Sequence, residues 1–162
     1  GGGGGGAPRK PRDFRHTFTG NLDDQFIIGI SVSRKKVRLF ADTFSSDIMV
    51  ASPVALRRKI GMPGDKAFDA DALSSVEMVV VDQADVLSMA NLDHVAGVLE
   101  ACNLMPSQTR DTDFSRVRGL NLEGRAQRVR QAVWLTRYVE PDVVALMRRT
   151  GRNDAGATMV RG

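Results

Sequence analysis

Three times along this chain a run of four apolar residues leads to residues that start helices. Ile48-Met49-Val50-Ala51 runs into Ser52-Pro53, Met78-Val79-Val80-Val81 runs into Asp82, and Ala132-Val133-Trp134-Leu135 is followed by Glu140-Pro141. Serine is a preferred N-cap because its hydroxyl accepts an orphan backbone N–H, and proline suits the first helical position, where its missing N–H costs nothing. Leu56 and Ile60 then share one helical face, and Gly61 ends the helix. After Asp82, Asp85 is expected to cap one long amphipathic helix. In it Val86, Leu87, Met89, Leu92, Val95, Val98, Leu99 and Cys102 recur at three- and four-residue spacing. Beyond Pro141 the apolar positions are Val143, Val144 and Met147. Such short apolar runs suit strands buried on both faces, and their alternation with helices predicts an α/β domain with a mainly parallel sheet. Ligands of such sheets meet the carboxyl ends of the strands, the positions held by Ser52, Asp82 and Thr136.

The remaining stretches are less regular. Residue 1 is Gly rather than Met, so a piece of a longer or processed product is expected. Gly1 to Gly6 has no side chains to pack, and Ala7 to Arg12 is proline-rich and basic; residues 1–13 are expected to be a disordered Gly/Pro/basic segment, or a basic contact arm. Phe14, His16 and Phe18 alternate with polar residues as in a short strand, and Thr19-Gly20-Asn21 reads as a turn. Phe26 to Ile30 is apolar but interrupted by Gly29, and Ser33 to Arg38 is a basic cluster. Met105 to Gly124 is polar and turn-rich, and Arg125 to Gln131 is helix-like. Phe114 and Trp134 are expected in the core.

Composition narrows the chemistry. At 162 residues the chain is the size of one domain, and its apolar runs fall far short of the ~20 residues that span a membrane. A single cysteine, Cys102, excludes an internal disulfide and a Cys-rich zinc site; only His16 and His94 add imidazoles, so neither metal nor cofactor is expected. Lys and Arg number 23 against 19 Asp and Glu, a net charge of +4 that permits a nucleic-acid partner without requiring one. Arg57, Arg58 and Lys59 follow the Ser52 turn, whose free backbone N–H groups suit a phosphate. Thr112 to Arg118, with Arg125, Arg128 and Arg130, offers a second basic surface. For each group a solvated face is an equal alternative. The candidate RNA-binding residues are thus Ser52, Arg57, Arg58, Lys59, Arg116 and Arg118.

An apolar strand ending in Asp is also how nucleotide hydrolases present a carboxylate to magnesium, although Asp is a common cap too. Asp82-Gln83-Ala84-Asp85 resembles the second motif of the DEAD-box RNA helicases, Ser52-Pro53-Val54-Ala55-Leu56 resembles their Thr-Pro-Gly-Arg-Leu motif, and Trp134-Leu135-Thr136-Arg137-Tyr138 stands where they have Ser-Ala-Thr. Together with Gly20 to Asp24, Phe44 to Pro53, Val81 to Leu87 and Thr112 to Arg118, these segments resemble one divergent relative, the digestive organ expansion factor family of nucleolar small-subunit processome proteins. The resemblance covers about Phe14 to the end. It implies that residues 14–162 are a partial helicase-like RecA domain (P-loop NTPase-like) lacking the phosphate-binding loop. It also implies pre-ribosomal RNA, small nucleolar RNA and processome proteins as partners in the nucleus and nucleolus.

The departures from the motif bear on mechanism. A DEAD-box enzyme needs a Gly-Lys-Thr loop to cradle phosphates, and none occurs in these 162 residues. Gln83 replaces the Glu that would activate water; an amide orients a water but takes no proton. Thr136 and Tyr138 flank Arg137 where two hydroxyls would couple hydrolysis to binding, and Val54 and Ala55 replace the motif's Gly and Arg. No catalytic residue is therefore expected, and the degenerate motif belongs to a non-catalytic RNA- and protein-binding scaffold. One alternative is an ATP-dependent RNA helicase fragment whose phosphate loop lies upstream; another is a protein-interaction module that never touches RNA. An unpaired sheet edge makes the piece marginally stable in this reading.

Overall fold

The computed structural model describes residues 25–108 and 117–161. The strand expected at Phe14 to Phe18, the turn after it, the segment 1–13, Phe114 and Arg116 lie outside the described residues. The described elements, in order, are β1 (Ile27–Val32), β2 (Val37–Leu39), β3 (Ile48–Ala51), α1 (Pro53–Ile60), β4 (Met78–Val81), α2 (Ala84–Ala90), α3 (Leu92–Ala101), α4 (Gly119–Leu122), β5 (Gln131–Trp134) and α5 (Pro141–Thr150). Single 3-10 turns stand at Thr43–Ser45, Asp71–Leu73 and Ala126–Arg128.

The expected strand–turn–helix units form, but among the described residues parallel pairing is confined to one small sheet. β4 and β5 pair in parallel, Met78 with Gln131 through Val81 with Trp134. β3 instead pairs antiparallel with β1, and β2 closes the other side of β1. Apolarity of a strand reports burial, not the direction of its neighbour, so β3 alone does not reveal its antiparallel partner. Nor are β3 and β4 buried on both faces: Ile48 and Val50, like Met78 and Val80, are about half exposed, while Val79 and Val81 face the core. Gly29 does not break β1. The chain folds back there, Ala41 N–H donating to the Gly29 carbonyl at 2.9 Å, and a Cβ at 29 would collide with Ser46 Oγ and the Ala41 carbonyl.

Helix positions also depart from expectation. The long helix after Asp82 is two, because Asn91 is extended (φ −170, ψ 105) and its Oδ1 accepts the Asp93 N–H at 2.9 Å. That cap restarts the helix at Leu92 without disturbing the apolar spacing. The helix-like Arg125 to Gln131 is only a 3-10 turn running into β5.

Two apolar clusters meet at α3. Val81, Ala84, Val95, Leu99, Val143 and Leu146 form one, with Trp134 packed against it as expected. Ile60, Ala70, Leu73, Ala101 and Cys102 form the other. α3 packs on α1 on one side and on α5 on the other. The C-terminal ends of α3 and α5 converge on Arg130, which is only 5% exposed. Its Nη1 donates to the Leu99 carbonyl and to Asn103 Oδ1, both at 3.1 Å, and its Nη2 donates to the Thr150 carbonyl at 3.2 Å. Arg130 therefore does not belong to a basic surface, as its sequence neighbourhood suggests. Arg125 and Arg128 are exposed but are paired to Glu123 and Asp154.

Arg130→Ala leaves several buried acceptors without a donor and is expected to cost about 3 kcal/mol or more. Arg128→Ala, which removes a surface ion pair, is expected to cost under about 1 kcal/mol. Urea titration of the two variants followed by Trp134 fluorescence checks the difference; equal midpoints would remove the role assigned to Arg130.

Candidate functional site

The carboxyl ends of β4 and β5 are stitched together. Leu135 N–H donates to the Val81 carbonyl and Ala84 N–H to the Leu135 carbonyl, each at 2.9 Å. Between them the chain turns sharply through Gln83, which sits in the left-handed region (φ 51, ψ 50). Asp82 Oδ1 accepts the Gln83 N–H at 2.9 Å, so one carboxylate oxygen of the motif is spent on its own turn. Asp82 and Gln83 are exposed; Ala84 and Asp85 are buried.

Asp85 is not the expected cap. Gln83 holds the N-cap position of α2 and makes no side-chain capping bond. Asp85 instead faces the exit of β5, where its Oδ1 accepts the Arg137 N–H at 3.4 Å and stands 3.5 Å from Thr136 Oγ1. The Thr136 hydroxyl gives its proton to the Tyr138 carbonyl at the shorter distance of 2.7 Å. The structure thus joins two of the motifs singled out from sequence, Asp82 to Asp85 and Thr136 to Tyr138, through a buried carboxylate. What the turn offers to solvent is one open Asp82 oxygen, a neutral Gln83 amide and the Arg137 side chain. That set can bind and orient, and its one carboxylate is that of Asp82.

At the second candidate turn, Ser52 caps α1. It is 7% exposed, and its Oγ accepts the Ala55 N–H at 3.2 Å. With Pro53 lacking an N–H and Ala55 occupied, the helix start retains little for a phosphate. The three basic residues that follow differ from one another. Lys59 Nζ donates to Thr43 Oγ1 at 2.7 Å. Arg58 is exposed. Arg57 is half-buried across α3: a Cβ at Gly97 would fall 2.7 Å from its Cζ, its Nη2 contacts Met62 Sδ at 3.1 Å, and its buried Nη1 has no partner. Arg118 is exposed and pairs with Glu77 at 2.9 Å, beside the start of β4. Ser52 and Arg57 are consequently packing residues first, and Arg58 is the freest cation of the group.

Two further features bear on chemistry. Cys102 is buried, and desolvation pushes its thiol above the ordinary value while the Arg130 charge and hydrogen bond pull the other way. It is no nucleophile. An open depression of about 470 Å³ is lined by Gly124, Gln127, Arg128, Arg152 and Asp154, none of them a motif residue. Sequence reasoning placed Arg130 on a basic surface and missed Asn103, because the roles of both come from groups distant along the chain. Among the described residues no helix is long and apolar enough to cross a membrane.

A parallel strand pair bearing Asp-Gln-Ala-Asp at its carboxyl end, with a Ser-Pro-capped strand–helix unit, makes this an α/β domain. Residues 6–158 match the family described as UTP25, NTP hydrolase-like domain, and the chain belongs to that family. It is 41% identical over 153 residues to U3 small nucleolar RNA-associated protein 25 of Schizosaccharomyces pombe, covering 94% of this chain and 24% of the relative. It is 44% identical over 147 residues to the protein of that name in Podospora anserina (91% and 22%), and 40% identical over 153 residues to the Xenopus tropicalis homolog (94% and 20%). The chain therefore spans between a fifth and a quarter of the length of these relatives. No solved structure matches it.

Gln83→Gly is expected to hold or raise the thermal midpoint, since glycine enters the left-handed region without the roughly 1–2 kcal/mol a side chain pays there. Asp85→Ala is expected to lower it by releasing the Thr136–Tyr138 turn. Differential scanning calorimetry of both variants checks the pair. For Cys102 the folded value lies above the unfolded one, so the unfolded chain ionises first. Stability is expected to fall as pH rises past the ordinary thiol value, and a Cys102→Ala variant should lack that part of the decline.

Proposed function

We propose that this domain is a non-catalytic RNA- and protein-binding scaffold in biogenesis of the small ribosomal subunit. It would act in processing of the ribosomal RNA precursor together with the guide small nucleolar ribonucleoprotein, in the nucleolus. The observation that carries the reading is Gln83 at the exposed turn between Asp82 and the buried Asp85. The position from which a carboxylate would activate water holds an amide, and Asp85 is committed to the β5 exit. The matched relatives are named for association with U3 small nucleolar RNA, which supports the choice of partner. On this reading the family is the one that the segments Phe44 to Pro53 and Thr112 to Arg118 resemble, and residues 14–162 are a partial RecA-like domain that has kept a helicase's strand-end turns and lost their turnover.

The test is RNA binding across a salt series, with a precursor ribosomal RNA segment and an unrelated control, with and without ATP, following phosphate release in the same samples. The expected result is binding that weakens steeply with salt, is indifferent to ATP and releases no phosphate. Gln83→Glu is expected to release none either, because the chain supplies no Gly-Lys-Thr loop. RNA-stimulated phosphate release would overturn the scaffold reading in favour of the helicase. Salt-insensitive binding of proteins alone would overturn its RNA half.

A further inference from the structure

The β1–β2 hairpin carries a feature that the motif turns do not explain. Ser33 to Phe40 holds four cations, Arg34, Lys35, Lys36 and Arg38, and no carboxylate. All four side chains are exposed, and among the described residues none has an ion pair or a side-chain hydrogen bond. The nearest acids along the chain are engaged: Asp42 accepts the Phe44 N–H and Asp47 accepts the Val32 N–H. The turn itself is firmly built. Ser33 N–H donates to the Lys36 carbonyl at 2.8 Å, and Ser33 Oγ accepts the Lys36 N–H at 3.2 Å. Uncompensated like charge on a tight turn costs self-repulsion, which a polyanion removes.

A second, independent observation lies at the other end of β2. Phe40 has φ 59, a conformation that a bulky side chain rarely adopts, and its ring is 77% exposed. The strain buys no burial for the ring. It is held by the contact next to it, Ala41 N–H on the Gly29 carbonyl, where glycine alone permits the approach. An aromatic ring fixed in water by a rigid, strained backbone beside a run of cations is the arrangement that binds single-stranded nucleic acid: charge follows the phosphates and the ring stacks on a base. Arg38 pairs with Ser31 across the hairpin, so it stands on the face opposite the apolar Val37 and Leu39. A protein partner would use that apolar row; the turn and Arg38 offer charge, and Phe40, just past the end of β2, offers a planar ring.

We propose that the β1–β2 hairpin is a contact element for single-stranded RNA, with Arg34, Lys35, Lys36 and Arg38 on phosphates and Phe40 stacked on a base. The proposal rests on the RNA-binding reading of the domain and assigns it a surface that neither the Ser52 nor the Asp82 turn supplies.

The experiment uses the whole chain and three probes: a fluorescein-labelled 20-nucleotide oligouridine, a duplex RNA of the same length and a polyglutamate competitor. Substituting Arg34→Ser, Lys35→Ser and Lys36→Ser together is expected to weaken oligouridine binding about tenfold and to reduce the slope of log affinity against log salt by about 2. Phe40→Gly relieves the backbone, so its thermal midpoint is expected to equal or exceed that of the unaltered chain. Oligouridine binding nevertheless falls about tenfold, with little change for the duplex. Phe40→Trp is expected to restore binding. If the unaltered chain binds oligouridine and the triple variant binds equally with the same slope, the hairpin is not the contact and the RNA reading stands. If Phe40→Gly binds both RNAs as the unaltered chain does, the stacking role is wrong. If polyglutamate displaces oligouridine charge for charge, the surface is for acidic protein and the proposal falls. If the unaltered chain binds neither RNA, the RNA-binding reading itself fails and the hairpin proposal falls with it.

Discussion

One guanidinium holds the ends of two helices. Every α-helix leaves its last carbonyls without intrahelical partners, and a buried end must find donors elsewhere. α3 and α5 end side by side in the interior, and Arg130 supplies donors to both. No carboxylate among the described residues pairs with it; the negative ends of two helix dipoles and Asn103 Oδ1 compensate its charge instead. Asn103 in turn uses a left-handed backbone and its amide to hold the Ser74 and Val76 carbonyls just ahead of β4. Because Arg130 immediately precedes β5, the same contact sets where β5 begins, and the paired register carries that placement to Leu135 and Thr136. The strand-end turn owes its position to a cation at the opposite end of the strand.

The turn itself shows what the acidic residues at the strand ends of this NTP hydrolase-like domain hold in place. Each carboxylate of the Asp-Gln-Ala-Asp motif makes a local structural bond: Asp82 to the strained Gln83 turn, Asp85 to the β5 exit. Such bonds fix the shape of the strand ends, and shape is what a binding partner in the proposed scaffold would read.

Much of this was legible in the sequence where the determinants are local. Ser52, Pro53 and Gly61 mark both ends of α1, and Glu140-Pro141 marks the start of α5. The strands β3, β4 and β5 fall on their apolar runs. What stayed hidden is non-local or masked by a coincidence of pattern. Asn91 interrupts a helix while leaving Leu87, Leu92 and Val95 in step, so spacing shows one helix where capping makes two. Arg130 sits among arginines of which Arg125 and Arg128 are exposed, and only the arrival of α3 and α5 distinguishes it. Among the candidate RNA contacts, Ser52 also fills the role that Pro53 after it announces, a buried helix cap. Arg57 looked like a solvated base because Gly97, the residue it lies across, is 40 positions away.

The pairing of β4 with β5 sets an order of assembly. Its partnered residues stand 53 positions apart, so the ends of a long loop must be brought together before the first rung forms, an entropy cost that grows as the logarithm of that length and amounts to about 3.5 kcal/mol beyond the constant part. The β1–β2 hairpin, by contrast, closes within a dozen residues. The chain therefore has a locally encoded hairpin that is synthesised earlier, and a parallel pair that waits for the chain from Met78 to Gln131 to be made. Until β5 has been synthesised, β4 lacks the parallel neighbour it has among the described residues. An edge left open in that interval is the part of a growing chain most exposed to pairing with the wrong strand.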